Sequence, residues 1–352
     1  MGRKMEGLMK AAVMTGIRKM EIQKVPIPKT RENEVLINVK HIGICGSDIH
    51  YYEFGNIGDY VIDSPFILGH EASGIIVEVG EKVTDLEVGD QVAIEPGVPC
   101  GTCDYCREGR YNLCPDIKFL ATPPISGVFQ EYIAFPAEMV YNLPNNMDTI
   151  EGAMLEPLNC GLYAAAHLSK IKIGQTALVL GCGCIGLLLI NSLQAQGISD
   201  IYAVDVVSSR IKKAESLGVK AVWDSRSIDV VEKIKEVTGG KGADVVFETA
   251  GNKVTTQQSV HAVARGGKIV ITGMVAEAEI PMDIVGLVCK EAEIHTQFRY
   301  KNLYPTAIKL VSEGKIDVKK VISHQCTLEE VPQIFEKCIN NKAEVIKAVV
   351  AL

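Results

Sequence analysis

Four cysteines crowd into a stretch of fifteen residues, with the spacing C-x2-C-x2-C-x7-C. They are Cys100, Cys103, Cys106 and Cys114. Four thiolates can close a tetrahedron around zinc and leave no coordination position open, which is typical of a structural zinc site. An iron–sulfur cluster, four unligated thiols or a zinc ribbon that binds nucleic acid would use the same residues. The glycines and the proline of this compact loop favour structural zinc.

A second set of metal-binding residue types is dispersed along the chain. Cys45 follows a predicted strand in a glycine-lined turn, and His70 and Glu71 are neighbours before another strand. Glu156 adds a carboxylate near the middle of the chain. Sulfur, imidazole and carboxylate together form a mixed ligand set with room for water or substrate, as in catalytic zinc sites. Each residue alone also fits a plain role, because a lone cysteine is usually core and Glu71 could be a surface charge.

A glycine-rich turn predicts a nucleotide site. Gly181, Gly183 and Gly186 form G-x-G-x-x-G between a predicted strand and a predicted helix. The first glycine permits a tight turn, the second lets the backbone approach a pyrophosphate, and the third lets helix and strand pack closely. The helix N-terminus then points at the phosphates.

The residue that ends the next strand bears on the choice of nucleotide. Asp205 lies nineteen residues beyond Gly186, where a carboxylate can accept hydrogen bonds from ribose hydroxyls. It would also repel a 2′-phosphate, so NAD is favoured over NADP. Arg210, in the following helix, could instead serve a 2′-phosphate, and this alternative stays open.

The elements that must position these residues fall into two kinds. The first ~150 residues read as short strands separated by turn residues, which indicates an antiparallel barrel or sandwich. Examples are Glu34–Ile44, Ala72–Val79, Asp90–Glu95 and Gln130–Phe135.

After about Cys160, apolar strands alternate with helices, which indicates a parallel sheet covered on both faces. The predicted strands are Thr176–Leu180, Ile201–Asp205, Ala221–Asp224, Val245–Thr249 and Lys268–Gly273. The predicted helices are Ile185–Gln196, Ser208–Leu217, Ile228–Val237 and Gln257–Ala264.

The bulk composition is that of an ordinary globular protein and predicts about two domains for 352 residues. A net charge of −7 without a basic run argues against nucleic acid as a partner. The apolar run from Thr176 to Ile190 contains three glycines and is shorter than the roughly 20 residues that cross a bilayer. Eleven cysteines, an odd number, without a secretory signal argue against a disulfide framework. We therefore expect a reduced, cytoplasmic protein with no membrane partner.

Taken together, the motifs resemble those of the zinc-containing medium-chain alcohol and polyol dehydrogenases over nearly the whole chain. The shared motifs are Gly43–His50, Gly69–Gly74, the four-cysteine loop and the nucleotide fingerprint. Within that family, the chain is most similar to the sorbitol (L-iditol) dehydrogenase branch. The segments that carry this narrower match are Ile49–Tyr52, Val92–Gly97, Gly109–Leu113, Ala121–Pro124, Leu155–Leu158 and Phe298–Tyr300.

The resemblance implies an α/β fold class with two domains. A GroES-like, β-rich catalytic domain would comprise residues 1–156 and 297–352, and a Rossmann domain with a doubly wound parallel sheet would comprise residues 157–296. The implied cofactors are NAD and two zinc ions per subunit, one catalytic and one structural. The implied assembly is a homotetramer.

The resemblance also assigns roles around the catalytic zinc. Cys45, His70 and Glu71 look like its ligands, and Glu156 looks like the residue that touches zinc-bound water or substrate, although it could itself ligate. Many alcohol dehydrogenases have a cysteine at the position of Glu156, and this departure is typical of the polyol branch. Ser47 and His50 match positions that pass a proton toward solvent, while His50 could equally be a surface histidine.

Further roles follow for substrate and cofactor. The candidates for holding substrate hydroxyls are Tyr51, Glu156, Arg299 and Tyr300. The candidates for cofactor binding are Gly181, Gly183, Cys184, Ile185, Gly186, Asp205, Arg210 and Gly273. The thiols of Cys182 and Cys184 are expected to fill the turn rather than to react.

The implied function is oxidation of a secondary hydroxyl of sorbitol, or of a related polyol such as xylitol, to the ketose. Zinc would favour loss of the hydroxyl proton, and the adjacent carbon would give hydride to the nicotinamide. Related enzymes for L-threonine, butanediol or galactitol are alternatives. A non-catalytic NAD-binding protein on the same fold and a regulatory zinc-finger protein are alternatives from other classes.

Overall fold

The chain forms two compact units in a computed structural model that describes residues 5–63, 65–274, 279–341 and 343–352. The first unit comprises Met1–Glu156, Tyr304–Gly314 and Val318–Leu352. The second comprises Pro157–Leu303 and Lys315–Asp317. The division expected from the sequence has the chain returning to the first domain at residue 297, whereas the observed return lies at Tyr304.

A seven-stranded sheet forms the centre of the first unit. Its strands, in spatial order, are Val140–Asn142, Gln91–Ile94, Glu71–Val79, Glu34–Gly43, Ala348–Ala351 and His324–Thr327, and Tyr132–Pro136 also pairs with Glu34–Gly43. All pairs are antiparallel except the last two strands of that order, which are parallel. The central strand Glu34–Gly43 is long and rich in β-branched residues, and it therefore suits a pleated surface with several neighbours.

Smaller elements surround this sheet. In a three-stranded sheet, Leu8–Gly16 pairs with both Lys19–Pro26 and Phe66–Ile67. Two small two-stranded sheets pair Gly97–Val98 with Lys118–Phe119 and Asn56–Ile57 with Tyr60–Val61. The α-helices are Gly46–Phe54, Asp104–Arg107, Thr149–Ala153, Tyr304–Ser312 and Val331–Asn340. Short 3-10 turns are Tyr111–Leu113, Ala137–Met139, Val318–Val321 and Leu328–Glu330. A further helix, Leu155–Leu162, begins where this unit ends.

The core of the first unit is a continuous apolar cluster with an aromatic centre. Phe335 meets the rings of Tyr52 and Phe129 edge-on, with ring centroids 5.2 and 5.7 Å apart. Edge-to-face pairs at this spacing add stabilisation beyond the area that they bury. They join the helices Gly46–Phe54 and Val331–Asn340 to each other and to the segment at Phe129 that precedes the strand Tyr132–Pro136.

Six parallel strands form the sheet of the second unit. In spatial order they are Ala221–Asp224, Ile201–Asp205, Ala177–Leu180, Ala243–Glu248, Val263–Ile271 and Glu293–Thr296. The first strand along the chain thus lies third from one edge. The next two lie on one side of it and the last three on the other, which is the doubly wound order. The helices of this unit are Cys184–Ala195, Ser208–Ser216, Val230–Val237, Lys253–Ala262 and Ile284–Lys290, with a π-helical turn at Tyr163–Leu168.

The predicted α/β fold class is confirmed, and the two largest errors in the predicted boundaries have identifiable reasons. The helix predicted to begin at Gln257 begins at Lys253, because the side chain of Asn252 caps it by accepting from the N–H groups of Val254 and Thr255. The strand predicted to begin at Lys268 begins at Val263. It contains a register shift, because Ala243 pairs with Val263 whereas Val245 pairs with Lys268. Among the described helices, none is long and apolar enough to cross a membrane.

Candidate functional site

The four cysteines of the loop lie around one point. Their sulfur atoms are within 4.8 Å of one another, and all four thiols are free. The Sγ of Cys106 lies 3.9 Å from that of Cys100 and 3.4 Å from that of Cys103. Zinc–sulfur bonds of about 2.3 Å in a tetrahedron put the sulfurs about 3.8 Å apart, whereas a disulfide brings them to about 2.0 Å. The spacing therefore fits four thiolates around one metal ion.

Backbone groups of the same loop stabilise the thiolate form. The N–H of Cys103 donates to the Sγ of Cys100, and the N–H of Cys100 donates to the Sγ of Cys114, both at 3.4 Å. Backbone hydrogen bonds from Thr102 and Cys103 lower the pKa of Cys100 to about 6. Burial raises the pKa of Cys106 to about 12 and also raises that of Cys114. Because metals bind the thiolate, the backbone donors favour metal binding at Cys100 in particular.

The dispersed residues also converge. The Sγ of Cys45, a ring nitrogen of His70 and a carboxylate oxygen of Glu71 lie within 4.8 Å of one another. Cys45 lies between the strand Glu34–Gly43 and the helix Gly46–Phe54, and Glu71 begins the next strand. These two strands are antiparallel neighbours in which Gly43 is paired with Glu71. Sheet register therefore brings the three side chains together across 26 residues of sequence.

Two glycines make room for this convergence. A Cβ at Gly43 would lie 1.9 Å from the Oε2 of Glu71, and one at Gly69 would lie 2.9 Å from the ring of Phe129. Gly69 also has φ +92°, a conformation that L side chains rarely adopt. The glycines of both motifs are thus needed for close approach and for backbone conformation.

Asp48 organises the centre, a role that the sequence interpretation missed. Its fully buried carboxylate accepts from the N–H of Cys45 and from the N–H of Gly69, each at 2.9 Å. It lies 3.6 Å from the Nδ1 of His70. Burial opposes protonation of His70, but the charges of Asp48 and Cys45 outweigh it, so that its pKa is well above the usual value. The available signal was an acidic residue at the third position of a helix that begins after Cys45.

The other residues predicted for this centre lie in the first unit with different exposures. Glu156 is buried, but among the described residues the group with clustered ligand atoms comprises Cys45, His70 and Glu71 without it. Ser47 and His50 are half-buried on the helix Gly46–Phe54. Tyr51, on the same helix, is buried.

Two predicted substrate residues belong to the second unit. Arg299 has φ +55°, and its guanidinium lies 4.7 Å from the ring centroid of Phe298. Tyr300 is buried. Gln297 anchors the segment by donating to the carbonyls of Cys160 and Arg299 and by accepting from Thr272.

The glycine-rich turn has the geometry that its motif predicts. Gly181 has φ +104°, and a Cβ there would lie 2.8 Å from the backbone nitrogen of Ala250. A Cβ at Gly186 would lie 2.0 Å from the carbonyl oxygen of Gly181, so helix and strand are in closest contact at this glycine. Around Gly183, which caps the helix Cys184–Ala195, a Cβ would meet open space. Open space before a helix N-terminus is what an incoming phosphate requires.

Asp205 supports the turn from the neighbouring strand. Its carboxylate accepts from the backbone N–H groups of Cys182, Val206 and Val207 at 2.7 to 2.8 Å. Burial raises the pKa of Cys182 to about 12, and its Sγ donates to the carbonyl of Val204. This buried thiol fills the turn, and its raised pKa disfavours the thiolate form that reacts.

Two strand ends meet closely at the carboxyl edge of the same sheet. A Cβ at Gly273 would lie 2.3 Å from the backbone nitrogen of Gly251 and 2.6 Å from the Oε2 of Glu248. Glu248 is fully buried and accepts from the N–H groups of Ala250 and Gly251, and burial raises its pKa. Its role as the organiser of this loop was not predicted.

The comparisons with known proteins agree with both units. Residues 31–145 match the sequence model of the alcohol dehydrogenase GroES-like domain, and residues 184–313 match that of zinc-binding dehydrogenases. Sorbitol dehydrogenase of Bacillus subtilis is 42% identical over 342 residues, 97% of each chain. D-xylulose reductase A of Aspergillus oryzae is 36% identical, covering 96% of this chain and 95% of its own. A crystal structure of an Escherichia coli oxidoreductase/dehydrogenase of unknown specificity superposes with TM-score 0.94 at 41% identity, over 98% of this chain and 99% of its own.

Proposed function

Because this chain belongs to the zinc-binding alcohol dehydrogenase family, we propose that it is a zinc-dependent, NAD-linked polyol dehydrogenase. Its reaction would oxidise a secondary hydroxyl of sorbitol or of a related polyol such as xylitol to the ketose. The observation that carries the proposal is the convergence of Cys45, His70 and Glu71 in a chain that also has a glycine-rich nucleotide turn.

The donor set of this centre suits zinc. Sulfur, nitrogen and oxygen ligands are those of catalytic zinc sites, where three protein ligands leave a position for water or substrate. When bound, zinc supplies Lewis acidity that lowers the pKa of a hydroxyl in contact with it. Cys45, His70 and Glu71 would hold the ion, and Asp48 would orient Cys45 and His70.

Other residues of the chain would bind the polyol and move its proton. Glu156 would accept a hydrogen bond from the reacting hydroxyl, and Ser47 and His50 would carry the released proton toward solvent. Tyr51, Arg299 and Tyr300 would hold the remaining hydroxyls. A bound nicotinamide would accept the hydride from the carbon that carries this hydroxyl, so the redox chemistry would be supplied by the cofactor.

The cofactor proposed is NAD. The N–H groups at the start of the helix Cys184–Ala195 would bind the pyrophosphate, and Gly273 would lie near the nicotinamide. Asp205 uses three of its acceptor positions on backbone amides. A carboxylate offers about four such positions, so one is left for a ribose hydroxyl. Its charge disfavours the 2′-phosphate of NADP, although Arg210 is close enough in sequence to serve one.

The four-cysteine loop would hold a second zinc ion in a purely structural role. Its four thiolates leave no ligand position for a substrate. Two zinc ions per subunit are therefore expected. We further propose that the protein acts in the cytoplasm as a homotetramer, on the precedent that polyol dehydrogenases of this type assemble in that way.

A substrate screen tests the proposed activity. NAD reduction is followed at 340 nm with sorbitol, xylitol, galactitol, butanediol and L-threonine, with and without a zinc chelator. We expect turnover of sorbitol or xylitol that is lost with the chelator and restored by zinc. Turnover of butanediol or threonine alone would assign the chain to another branch of the family. Absence of turnover with every alcohol would favour a non-catalytic NAD-binding protein.

The substitution Glu156→Cys tests the specificity argument. It introduces the residue type that many alcohol dehydrogenases have at this position. NAD binding should be preserved, whereas kcat/KM for the polyol should fall, because a thiol accepts hydrogen bonds poorly. Cys289→Ser, at an exposed cysteine of the second unit, is the control. Unchanged polyol kinetics in Glu156→Cys would contradict the assigned role.

A further inference from the structure

A buried lysine lies against the dispersed metal centre. The Nζ of Lys347 forms an ion pair with the Oε2 of Glu71 and donates to the carbonyl of Ile44 at 3.0 Å. The side chains of Lys347 and Glu71 are 3% and 1% exposed. A pair so completely removed from water is costly unless its geometry is well defined, so its presence beside metal-ligand residues needs an explanation.

The backbone around Lys347 allows little freedom. Its carbonyl accepts from the N–H and the Oγ of Ser323, and its own N–H donates to that Oγ. The strand Ala348–Ala351, which follows it, pairs antiparallel with Glu34–Gly43. The backbone of Lys347 is thus fixed at the start of a strand that lies between Glu34–Gly43 and His324–Thr327.

The position of the ammonium group limits the position of the carboxylate. A Cβ at Gly43 would lie 1.9 Å from the Oε2 of Glu71 and 3.0 Å from the Cε of Lys347. The backbone at Gly43 therefore packs closely against both side chains and leaves no space between itself and them. With Oε2 held by Lys347, the Oε1 of Glu71 is the oxygen left for a metal ion. A carboxylate can serve a cation on each of its two oxygens.

The charges around the centre also favour a fixed position for the carboxylate of Glu71. The carboxylates of Glu71 and the buried Asp48 both lie at this centre, and Cys45 adds a thiolate when it binds a metal. The ammonium group of Lys347 lies in direct contact with the ligand residue Glu71. Its positive charge offsets the repulsion between the two carboxylates.

We propose that Lys347 is a positioning residue of the metal centre, which holds one oxygen of Glu71 so that the other is presented to the metal in a single orientation. This inference rests on the proposed function in so far as Cys45, His70 and Glu71 bind zinc. Hydrogen-bond partners of ligating carboxylates fix their orientation, and their loss typically costs 10- to 100-fold in metal affinity.

The test measures zinc and requires no substrate. The full chain loaded with zinc is mixed with a chromophoric chelator, and the release of each zinc ion is timed for wild type, Lys347→Met, Glu71→Gln and the double variant. Lys347→Met preserves the length of the side chain without its charge. It should release zinc from the Cys45 centre about 10- to 100-fold faster, while release from the four-cysteine loop is unchanged. Cobalt in place of zinc should show an altered visible spectrum in this variant.

The double variant separates positioning from a general loss of stability. If Lys347 acts through Glu71, adding Lys347→Met to Glu71→Gln should change zinc release by less than about twofold. Independent, multiplying effects would overturn the proposal, as would wild-type release and spectrum in Lys347→Met. Should Lys347→Met fail to fold because Glu71 is left unpaired, the comparison of the double variant with Glu71→Gln decides alone.

A control variant in the second unit completes the experiment. Lys290, in the second unit, also uses its ammonium group internally, donating to the carbonyls of Val260, His261 and Val263. Lys290→Met should lower thermal stability and leave both zinc ions unaffected. A wild-type protein that retains zinc at Cys45 but oxidises no polyol would contradict the proposed function and not this inference. A wild type without zinc at Cys45 would contradict both.

Discussion

The two candidate metal sites of the first unit are built in opposite ways. The four-cysteine loop takes its sulfurs and its backbone donors from residues 100–114, and its hydrogen bonds to sulfur come from neighbouring positions in that loop. The Cys45 centre takes its groups from a turn, from the start of a strand and, through Lys347, from a region almost 300 residues away. A site confined to one loop depends mainly on the metal itself. A site assembled by a sheet depends on every contact that keeps the strands in register.

The two centres should therefore respond differently to damage. Loss of a ligand in the loop should affect stability first, because structural zinc contributes folding energy. Loss of a ligand or supporting group in the Cys45 centre should affect catalysis or metal affinity first, because its strands are held by the sheet without the metal.

The largest effect is expected for Cys45→Ser. Loss of the thiolate should empty the Cys45 centre and reduce polyol turnover by at least about 1,000-fold, since several kcal/mol of Lewis-acid stabilisation disappear. Zinc analysis should find about one ion per chain instead of two, with the melting temperature close to that of wild type. The control is Cys289→Ser. A variant that keeps both ions and its turnover would show that the centre is not catalytic.

Cys103→Ser tests the loop. Its zinc should be lost and the melting temperature should fall by about 10 °C, because the loop then has no core of its own. At low temperature, the remaining folded protein should retain most of its turnover. Scanning calorimetry with zinc analysis measures both quantities, and Cys326→Ser, outside both metal groups, is the control. Complete loss of activity in folded protein would erase the distinction between the centres.

Asp48→Asn tests the support of the Cys45 centre. An amide offers one oxygen where the carboxylate accepts from two backbone N–H groups, so one donor would face an NH2 group. Zinc affinity at this centre should fall about 10- to 100-fold, while NAD binding and the zinc of the loop are unaffected. Competition with a chelator measures the affinity. Wild-type affinity would mean that Cys45 and His70 are positioned without Asp48.

The smallest effect is expected for Thr102→Val. The hydroxyl of Thr102 donates to the Sγ of Cys100 at 3.6 Å on an exposed part of the loop. Its loss should lower the stability by less than about 1 kcal/mol, because backbone donors to the thiolate remain. Zinc content and turnover should match wild type. A loss of zinc from the loop would mean that side chains, and not the backbone, make this loop ready for a metal.

Much of the fold was predictable because its signals are local. The strand Ile201–Asp205 and the strand Ala221–Asp224 have the bounds that the apolar pattern predicts. The helix at Lys253 was predicted four residues late, because the Asn252 cap was overlooked. Boundaries that depend on a single capping side chain are thus the weakest part of such a prediction.

The functional sites also differ in whether their signals are local in the sequence. The four cysteines of the loop and the three glycines of the turn can be recognised from the sequence alone. Residues so close along the chain must also lie close together in space. The meeting of Cys45 with His70 and Glu71 was an expectation from family resemblance, and its cause is the pairing of Gly43 with Glu71 across two strands. Asp48 and Lys347 were identified only in the folded chain. Their roles arise from burial beside ligand residues, and burial is set by the packing of distant segments that residue spacing does not encode.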